Sequence, residues 1–319
     1  RPLEHNVLPL PAKGHIARYL ITCAQNNTKV FSTFLRNLKA YAQWFDDPAR
    51  IMCSRFTYNK NAFSNPSKAK PGKQVVDNSK PWFDPAIDPY ICDDPEIHGT
   101  CRWQLARDLW FCAEMQIEPT AEKPLSGLRT YTGTDSTIFP HVKVAMQPVA
   151  RVPGGDVKHI YTTGTITGSN YIQRKAGLKA EFHHTYAALI VEVDSDGNWW
   201  TRQLVVDKKG EFFDIPGGQT VKVSQGQVTT GHRLEAINWG DVHVTELPAD
   251  RAQRYWGKKG SVIDLLKPRY QFFHDTLSFR SRSHHEIKLF SKMFEKHVNG
   301  QESVEQELKR TIEFLSFTE

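Results

Sequence analysis

The sequence has few of the features that mark a membrane protein or a disulfide-stabilised secreted protein. No window approaches the ~18 consecutive apolar residues that a membrane-spanning helix needs, and the residues from Arg1 to His5 form no apolar signal-peptide core. The five cysteines are odd in number and form no Cys-x-x-Cys pair, which predicts reduced thiols rather than a disulfide framework. With only 20 glycines and 18 prolines in 319 residues, collagen-like and low-complexity classes are also excluded.

Charge and length set broad limits on the protein. The 41 Lys and Arg residues exceed the 35 Asp and Glu residues by six, an imbalance that is compatible with a partner of negative charge but does not identify one. A chain of 319 residues predicts two domains, each large enough to bury its own core. Because the residue pattern changes after Thr230, we predict a lead domain over 1–230 and a second domain over 231–319.

The beginning of the lead domain predicts an α/β fold. Residues 17–23 form a short apolar run, residues 29–45 carry apolar side chains at helical spacing, and residues 50–56 form a second apolar run. A strand, a helix and a strand in this order predict a right-handed βαβ unit. The later lead domain is predicted to be β-rich, with strands at 109–117, 158–163, 185–193, 199–206 and 221–228. Asp196-Gly197 between two of these runs predicts a hairpin.

The second domain contains the most informative pattern. Two predicted strands, 234–239 and 269–273, are separated by a short predicted helix, and each strand runs into polar residues that bind metals in many proteins. Asp241 and His243 follow the first strand and Asp275 follows the second. Because active sites of open α/β sheets form beyond the carboxyl ends of the strands, we expect these three side chains to converge on a metal ion.

The motifs in the second domain resemble those of calcineurin-like metallophosphoesterases. Gly240-Asp241-Val242-His243 is similar to their Asp-x-His motif, and His274-Asp275 with Arg280 is similar to their Gly-Asp motif followed by an arginine. His274 stands where the motif has glycine, and Arg280 lies one residue further along than usual. The resemblance implies that residues 231–319 form the amino-terminal part of an α/β/β/α sandwich domain.

A second resemblance covers nearly the whole chain. Several segments are similar to a tailed-phage family of pre-early DNases that degrade host DNA. These segments are residues 19–26, 117–121, 124–127, 175–177 and 179–184. The resemblance implies a metal-dependent phosphodiesterase that acts on DNA in the cytoplasm of the infected bacterial host.

The resemblance also implies the cofactors and an incomplete site. Asp241 and His243 would bind the first ion and Asp275 would bridge two ions, with Mn²⁺ or Mg²⁺ as occupants. Nothing after Asp275 offers the Asn-His pair that such enzymes use later in their sequence. We therefore expect the chain to be truncated and to bind one metal poorly and the second not at all.

Basic residues and histidines elsewhere are further candidates. Arg280, His284 and His285 are candidate catalytic residues that would approach the scissile phosphate, although His284 and His285 equally suit a solvated helix start. Arg174, Lys175 and Lys179 surround a glycine and are candidate contacts to the DNA backbone, although an ordinary exposed turn explains them equally well.

Two other readings of the chain's function remain open. A phosphatase or nucleotide phosphodiesterase for small substrates would use the same ligands. A nucleic-acid-binding regulatory protein with a degenerate phosphoesterase domain would explain why His274 replaces glycine.

The sequence also predicts a homo-oligomer. The proline-rich segment 65–95 carries Trp82, Phe83, Tyr90 and Ile91 without helical or strand periodicity. These large apolar groups would pack either on the lead domain or on another copy of the protein, and aromatic residues are enriched in interface cores.

Overall fold

The structure is a computed structural model that describes most of the chain. The described residues are 4–58, 81–93, 101–150, 157–278 and 303–318. The chain forms two compact units. Unit 1 comprises Arg1–Asp214 with Lys222–Thr229, and unit 2 comprises Ile215–Val221 with Thr230–Glu319.

Unit 1 is built mainly from β-strands, with two α-helices among its described residues. The helices are α1, Ser32–Trp44, and α2, Lys175–His183. The strands are β1 Glu4–Val7, β2 Ala17–Gln25, β3 Arg50–Phe56, β4 Cys101–Ala106, β5 Leu109–Phe111, β6 Ser136–Phe139, β7 Met146–Val149, β8 Lys158–Thr162, β9 Ala187–Val193, β10 Trp199–Val205, β11 Phe212–Asp214, β12 Val221–Ser224 and β13 Gln227–Thr230.

The predicted βαβ unit is present at the start of unit 1. Strands β2 and β3 pair in parallel, with Tyr19 opposite Arg50 and Gln25 opposite Phe56, and α1 connects them. Strand β9 joins the other edge of β2 in the antiparallel direction, and the sheet order is β10-β9-β2-β3. The hairpin at Asp196-Gly197 is confirmed, because β9 and β10 pair with Trp199 opposite Val193.

A second sheet completes the core of unit 1. Its six strands run in the order β1-β4-β5-β6-β8-β7. Apolar side chains from both sheets form one cluster, in which Ile21, Met52 and Leu189 of the four-stranded sheet pack with Leu109 and Phe111 of the six-stranded sheet. The core of unit 1 therefore lies between two sheets.

Helix α1 packs against the rest of unit 1 through the apolar face that its sequence predicts. Phe34, Leu38 and Tyr41 are buried at the i, i+4, i+7 spacing of one helical face. The rings of Phe34 and Tyr41 both meet Phe212 of β11 edge to face. The Tyr41 hydroxyl also donates a hydrogen bond to the buried Asp214 carboxylate, so α1 is held by apolar and polar contacts together.

Three sequence-based expectations for unit 1 were wrong in detail. Strand β5 ends at Phe111 rather than at residue 117, because residues 113–114 form a turn. The predicted strand 221–228 is two strands joined by a tight turn at Gln225-Gly226, where both residues have positive φ. The basic segment 174–179 is not a turn but the start of α2, in keeping with its run of good helix formers.

Unit 2 contains the second βαβ arrangement that the sequence predicts. Its strands are β14, Ala236–Asp241, and β15, Tyr270–His274, which pair in parallel. Its helices among the described residues are α3 Ala249–Trp256, α4 Val262–Leu266 and α5 Val304–Thr318. The α/β class therefore holds for the described part of both units. Apolar residues at helical spacing predict a helix over 287–298, and this segment lies outside the described residues.

The described part of the proline-rich segment packs on its own chain. A 3-10 helix covers Pro85–Tyr90, and Ile87 within it is almost fully buried. The ammonium group of Lys29 lies over the Trp82 ring, and that of Lys39, in the same unit, lies over the Tyr90 ring. These contacts within one chain account for some of the large apolar groups from which a homo-oligomer was predicted. The homo-oligomer itself stays a prediction.

In the part of the chain that the structure describes, we find no helix with the length and apolarity required to cross a bilayer.

Candidate metal centre

The three predicted ligands lie at the ends of the two parallel strands of unit 2. Asp241 is the last residue of β14, His243 follows two residues later, and Asp275 directly follows β15. One side-chain ligand atom from each of the three residues lies within 4.8 Å of the other two. The structure therefore brings together residues that are separated by more than thirty positions in the sequence.

Backbone pairing beyond the strands holds the two loops side by side. The amide of Val242 donates to the carbonyl of His274 at 3.0 Å, and the amide of His243 donates to the carbonyl of Asp275 at 3.0 Å. A further bond at 3.1 Å joins the Val244 amide to the Thr276 carbonyl. These three main-chain bonds hold the two loops that carry the candidate ligands side by side beyond the ends of the paired strands.

Two of the three ligands adopt a backbone conformation that is uncommon for residues other than glycine. The φ angle of His243 is 44° and that of Asp275 is 45°, which places both in the left-handed region. His and Asp tolerate this region better than most residues, but it still carries some strain, and such strain clusters at functional sites. The turns direct both side chains to the same end of the sheet.

His274 interacts with both candidate carboxylates. Its Nδ1 lies 2.8 Å from Asp241 Oδ1 and 3.5 Å from Asp275 Oδ2. The hydrogen bond to Asp241, together with the negative charge of Asp275 and Asp241, raises the pKa of the His274 imidazole. His274 therefore adds a hydrogen-bonding group to the site.

Sequence reasoning did not find Ser278, which orients His243. The Ser278 hydroxyl lies 3.2 Å from His243 Nδ1 and also 3.2 Å from the Thr245 hydroxyl. A hydrogen bond at Nδ1 leaves Nε2 as the ligand nitrogen, and metal-binding histidines are commonly oriented in this way. No sequence signal distinguishes Ser278 from other serines, because its role depends on the pairing of the two loops.

The donor set and its exposure fit a divalent cation. Two carboxylates and one imidazole form a mixed oxygen and nitrogen donor set, which suits Mn²⁺ better than Ca²⁺, whose ligands are all oxygens. Asp241 and Asp275 are exposed and His243 is partly buried, so the centre opens to solvent. This is the only group of three or more potential metal ligands among the described residues.

The other predicted site residues are placed as follows. The candidate catalytic residues Arg280, His284 and His285 lie outside the described residues. The candidate DNA contacts Arg174, Lys175 and Lys179 are all exposed and lie at the start of α2 in unit 1. The structure thus assigns the candidate DNA contacts and the candidate metal ligands to different units.

Comparison with known proteins shows similarity to a phage protein. The chain is 38% identical to Protein A1 of Escherichia phage T5 over 275 residues, which cover 84% of this chain and 46% of Protein A1. The chain is a relative of a phage protein. It spans about half the length of the relative that it matches. No family model matches the chain, and no solved structure matches it either.

Proposed function

We propose that the protein is a metal-dependent phosphodiesterase that acts on DNA, with Asp241, His243 and Asp275 as metal ligands. The observation that carries the proposal is the convergence of the three ligand atoms within 4.8 Å at the ends of two parallel strands. Ligands of open α/β sheets bind beyond the carboxyl ends of the strands, and all three side chains lie there. The backbone strain at His243 and Asp275 supports the same conclusion.

A bound divalent ion would supply a nucleophilic hydroxide at neutral pH and would neutralise the charge that develops on the phosphate. Asp241 and His243 would hold the ion from one loop, and Asp275 would hold it from the other. Ser278 keeps His243 in the correct orientation. Arg280, His284 and His285 are proposed to contact the scissile phosphate or the leaving oxygen.

Three observations support DNA as the substrate. The segments described above resemble a phage family of host-DNA-degrading enzymes, and the comparison shows a phage relative. The candidate metal centre is open to solvent, as a centre that acts on a polymer must be. Finally, the exposed cations Arg174, Lys175 and Lys179 offer contacts to a phosphate backbone.

One observation favours a second candidate function. The hydrogen bond from His274 to Asp241 occupies a ligand oxygen, as expected in a degenerate domain that regulates or binds nucleic acid without hydrolysing it. The two candidates differ in metal binding, because a degenerate site would not bind Mn²⁺ at physiological concentrations.

Metal binding provides the first test. Titration of the chain with Mn²⁺, followed by the loss of the free-ion electron paramagnetic resonance signal, should show one ion bound per chain. Asp241→Asn and Asp275→Asn should each weaken binding at least tenfold, since each removes an anionic ligand. Asp250→Asn in α3 is the matched control, because Asp250 is an exposed carboxylate of the same unit outside the cluster. Equal binding by the parent and the Asp275 variant would contradict the assignment.

Hydrolysis is then measured with the full-length protein. We expect Mn²⁺-dependent cleavage of double- or single-stranded DNA, and Asp275→Ala should abolish cleavage while the melting temperature stays unchanged. Cleavage of p-nitrophenyl phosphate but not of DNA would instead favour a small-substrate phosphatase. Absence of both Mn²⁺ binding and phosphoester hydrolysis would support the regulatory alternative.

A further inference from the structure

Helix α2 of unit 1 exposes apolar side chains that its own unit does not cover. Phe182 is 93% exposed and Leu178 is 53% exposed. The opposite side of the helix is closely packed, because Ala180 lies fully buried in a cluster with Tyr58 and Tyr171. The helix is therefore anchored on one side and presents an aromatic ring to solvent on the other.

Two cations lie on the same exposed side of α2. Lys175, Leu178, Lys179 and Phe182 follow the i, i+3, i+4, i+7 spacing, so that they share one face of the helix. Arg174 adds a third cation at the N-cap position. An exposed face that combines cations with an aromatic ring is the combination with which proteins hold single-stranded nucleic acid.

Unit 1 also has a basic pocket of about 710 Å³, which is separate from the exposed face of α2 but in contact with that helix. Its lining includes the cations Lys123, Arg129 and Lys143, and one carboxylate, that of Glu122. The Lys143 ammonium donates to the Glu122 carbonyl at 2.6 Å, which holds it at the wall of the pocket. Three cations against one carboxylate favour an anionic occupant.

Direct contacts join the pocket to α2. The Lys179 ammonium lies 2.9 Å from the Glu122 carboxylate at the pocket wall, and this hydrogen bond lowers the pKa of Glu122. Near the end of the helix, His183 Nε2 lies 2.8 Å from the Pro119 carbonyl. Because the Lys179–Glu122 pair is exposed on both sides, it contributes little to stability, and a phosphate group can replace the carboxylate as the partner of Lys179.

We propose that the exposed face of α2 and the adjoining basic pocket form a binding surface for single-stranded DNA. Phe182 stacks on a base, Lys175 and Lys179 contact the flanking phosphates, and the strand continues into the pocket lined by Lys123 and Lys143. This surface extends the proposed action on DNA, but it does not depend on the metal centre. Binding is therefore measured in EDTA, so that failure of hydrolysis and failure of this proposal are distinguishable.

A single strand fits the surface better than a duplex or a membrane. In a duplex the base faces are stacked on one another, so an exposed phenylalanine ring finds no base to stack on. An anionic membrane would attract the same lysines, but α2 has nine residues and only two exposed large apolar side chains, a small area to insert among lipids. The vesicle experiment below tests that alternative.

The test is fluorescence anisotropy with a labelled fifteen-nucleotide oligo(dT) and with a duplex of equal length. Phe182→Ala should weaken oligo(dT) binding about tenfold, and Phe182→Tyr should retain it, because stacking needs only an aromatic face. The double variant Lys175→Ala with Lys179→Ala should lower the slope of log K against log salt by about 1.4, since each phosphate contact on a single strand contributes about 0.7.

Trp200→Ala is the matched control, because Trp200 is another exposed aromatic residue of unit 1 but lies on β10. It should bind oligo(dT) like the parent. All substituted side chains are exposed, so unchanged melting temperatures will show that the variants are folded. Normal oligo(dT) binding by Phe182→Ala, or an equal loss for the duplex, would overturn the proposal. So would Phe182-dependent binding to vesicles with 30% phosphatidylglycerol in the absence of any effect on DNA.

Discussion

Nδ1 of His274 lies 2.8 Å from Oδ1 of Asp241, so the last residue of β15 hydrogen-bonds a candidate metal ligand. The contact couples two loops that main-chain bonds already hold side by side. It also has a measurable consequence, because the oxygen that accepts this bond cannot give its full electron density to a metal ion.

We expect His274→Ala to bind Mn²⁺ about fivefold more tightly than the parent. Removal of the imidazole releases the Asp241 oxygen from a hydrogen bond, so that this oxygen can bind the ion without competition. Calorimetric titration with Mn²⁺ measures the change. His232→Ala, in the same unit but outside the cluster, serves as the control and should bind like the parent. Weaker binding by His274→Ala would show that His274 supports the ligand rather than competing with the ion.

Two histidines of unit 1 predict a loss of stability at mildly acidic pH. Burial lowers the pKa of His141 to about 4 and that of His184 to about 4. The partners of His141 require the neutral ring: the Lys143 amide donates to His141 Nδ1, while His141 Nε2 faces the Glu118 carbonyl. In the unfolded chain both rings titrate near their ordinary value of ~6.5.

The direction of the pH effect follows from proton binding. Between pH 6.5 and 4 the unfolded chain binds more protons than the folded chain, so the free energy of unfolding falls as the pH is lowered through this window. Each histidine contributes a loss of about 2 kcal/mol between pH 7 and pH 5. Urea titrations at both pH values measure the loss, and His141→Gln should reduce the difference. A difference that His141→Gln leaves unchanged would refute this origin.

Gly177 is predicted to be essential for the position of α2. A Cβ at this position would lie 1.9 Å from the Ile172 carbonyl oxygen, far inside contact distance. Gly177→Ala should therefore destabilise unit 1 by about 1–3 kcal/mol, although alanine has the higher helix propensity. Thermal unfolding measures the effect. Ala176→Ser, an exposed change at the neighbouring position, should shift the melting temperature little. A stabilised Gly177 variant would show that propensity outweighs the close approach.

Periodicity and turn chemistry were sufficient to predict the local elements of the two βαβ arrangements. The strand Ala17–Gln25, helix α1 and the hairpin at Asp196-Gly197 follow from apolar spacing and from a dipeptide that accepts the required turn. Parallel pairing of β14 with β15 was also predictable, because a helix between two strands returns the chain in the same direction. That pairing is why Asp241 and Asp275 were expected at one place.

Tertiary packing decided which face of a helix is buried. In α5 the apolar residues Leu308 and Ile312 are exposed, whereas Glu307 and Thr311 are buried. Val304, Leu308, Ile312 and Leu315 stand at helical spacing and predict an amphipathic helix there, but the sequence contains no local information about the surface that the helix meets. The same limit applies to α2, because the basic segment does not by itself indicate a helix, whereas the burial of Ala180 anchors one.

What the sequence by itself determined is therefore part of the set of local elements, among them the two parallel strand pairs, α1 and the β9–β10 hairpin, and the identity of the candidate ligands, because these depend on residue spacing along the chain. What only the tertiary structure decided is which distant groups meet. The pairing of His274 with Asp241, of Ser278 with His243 and of Lys179 with Glu122 joins residues that are 33 to 57 positions apart. Such contacts arise from the way strands and loops pack in three dimensions, and no periodicity in the sequence encodes them.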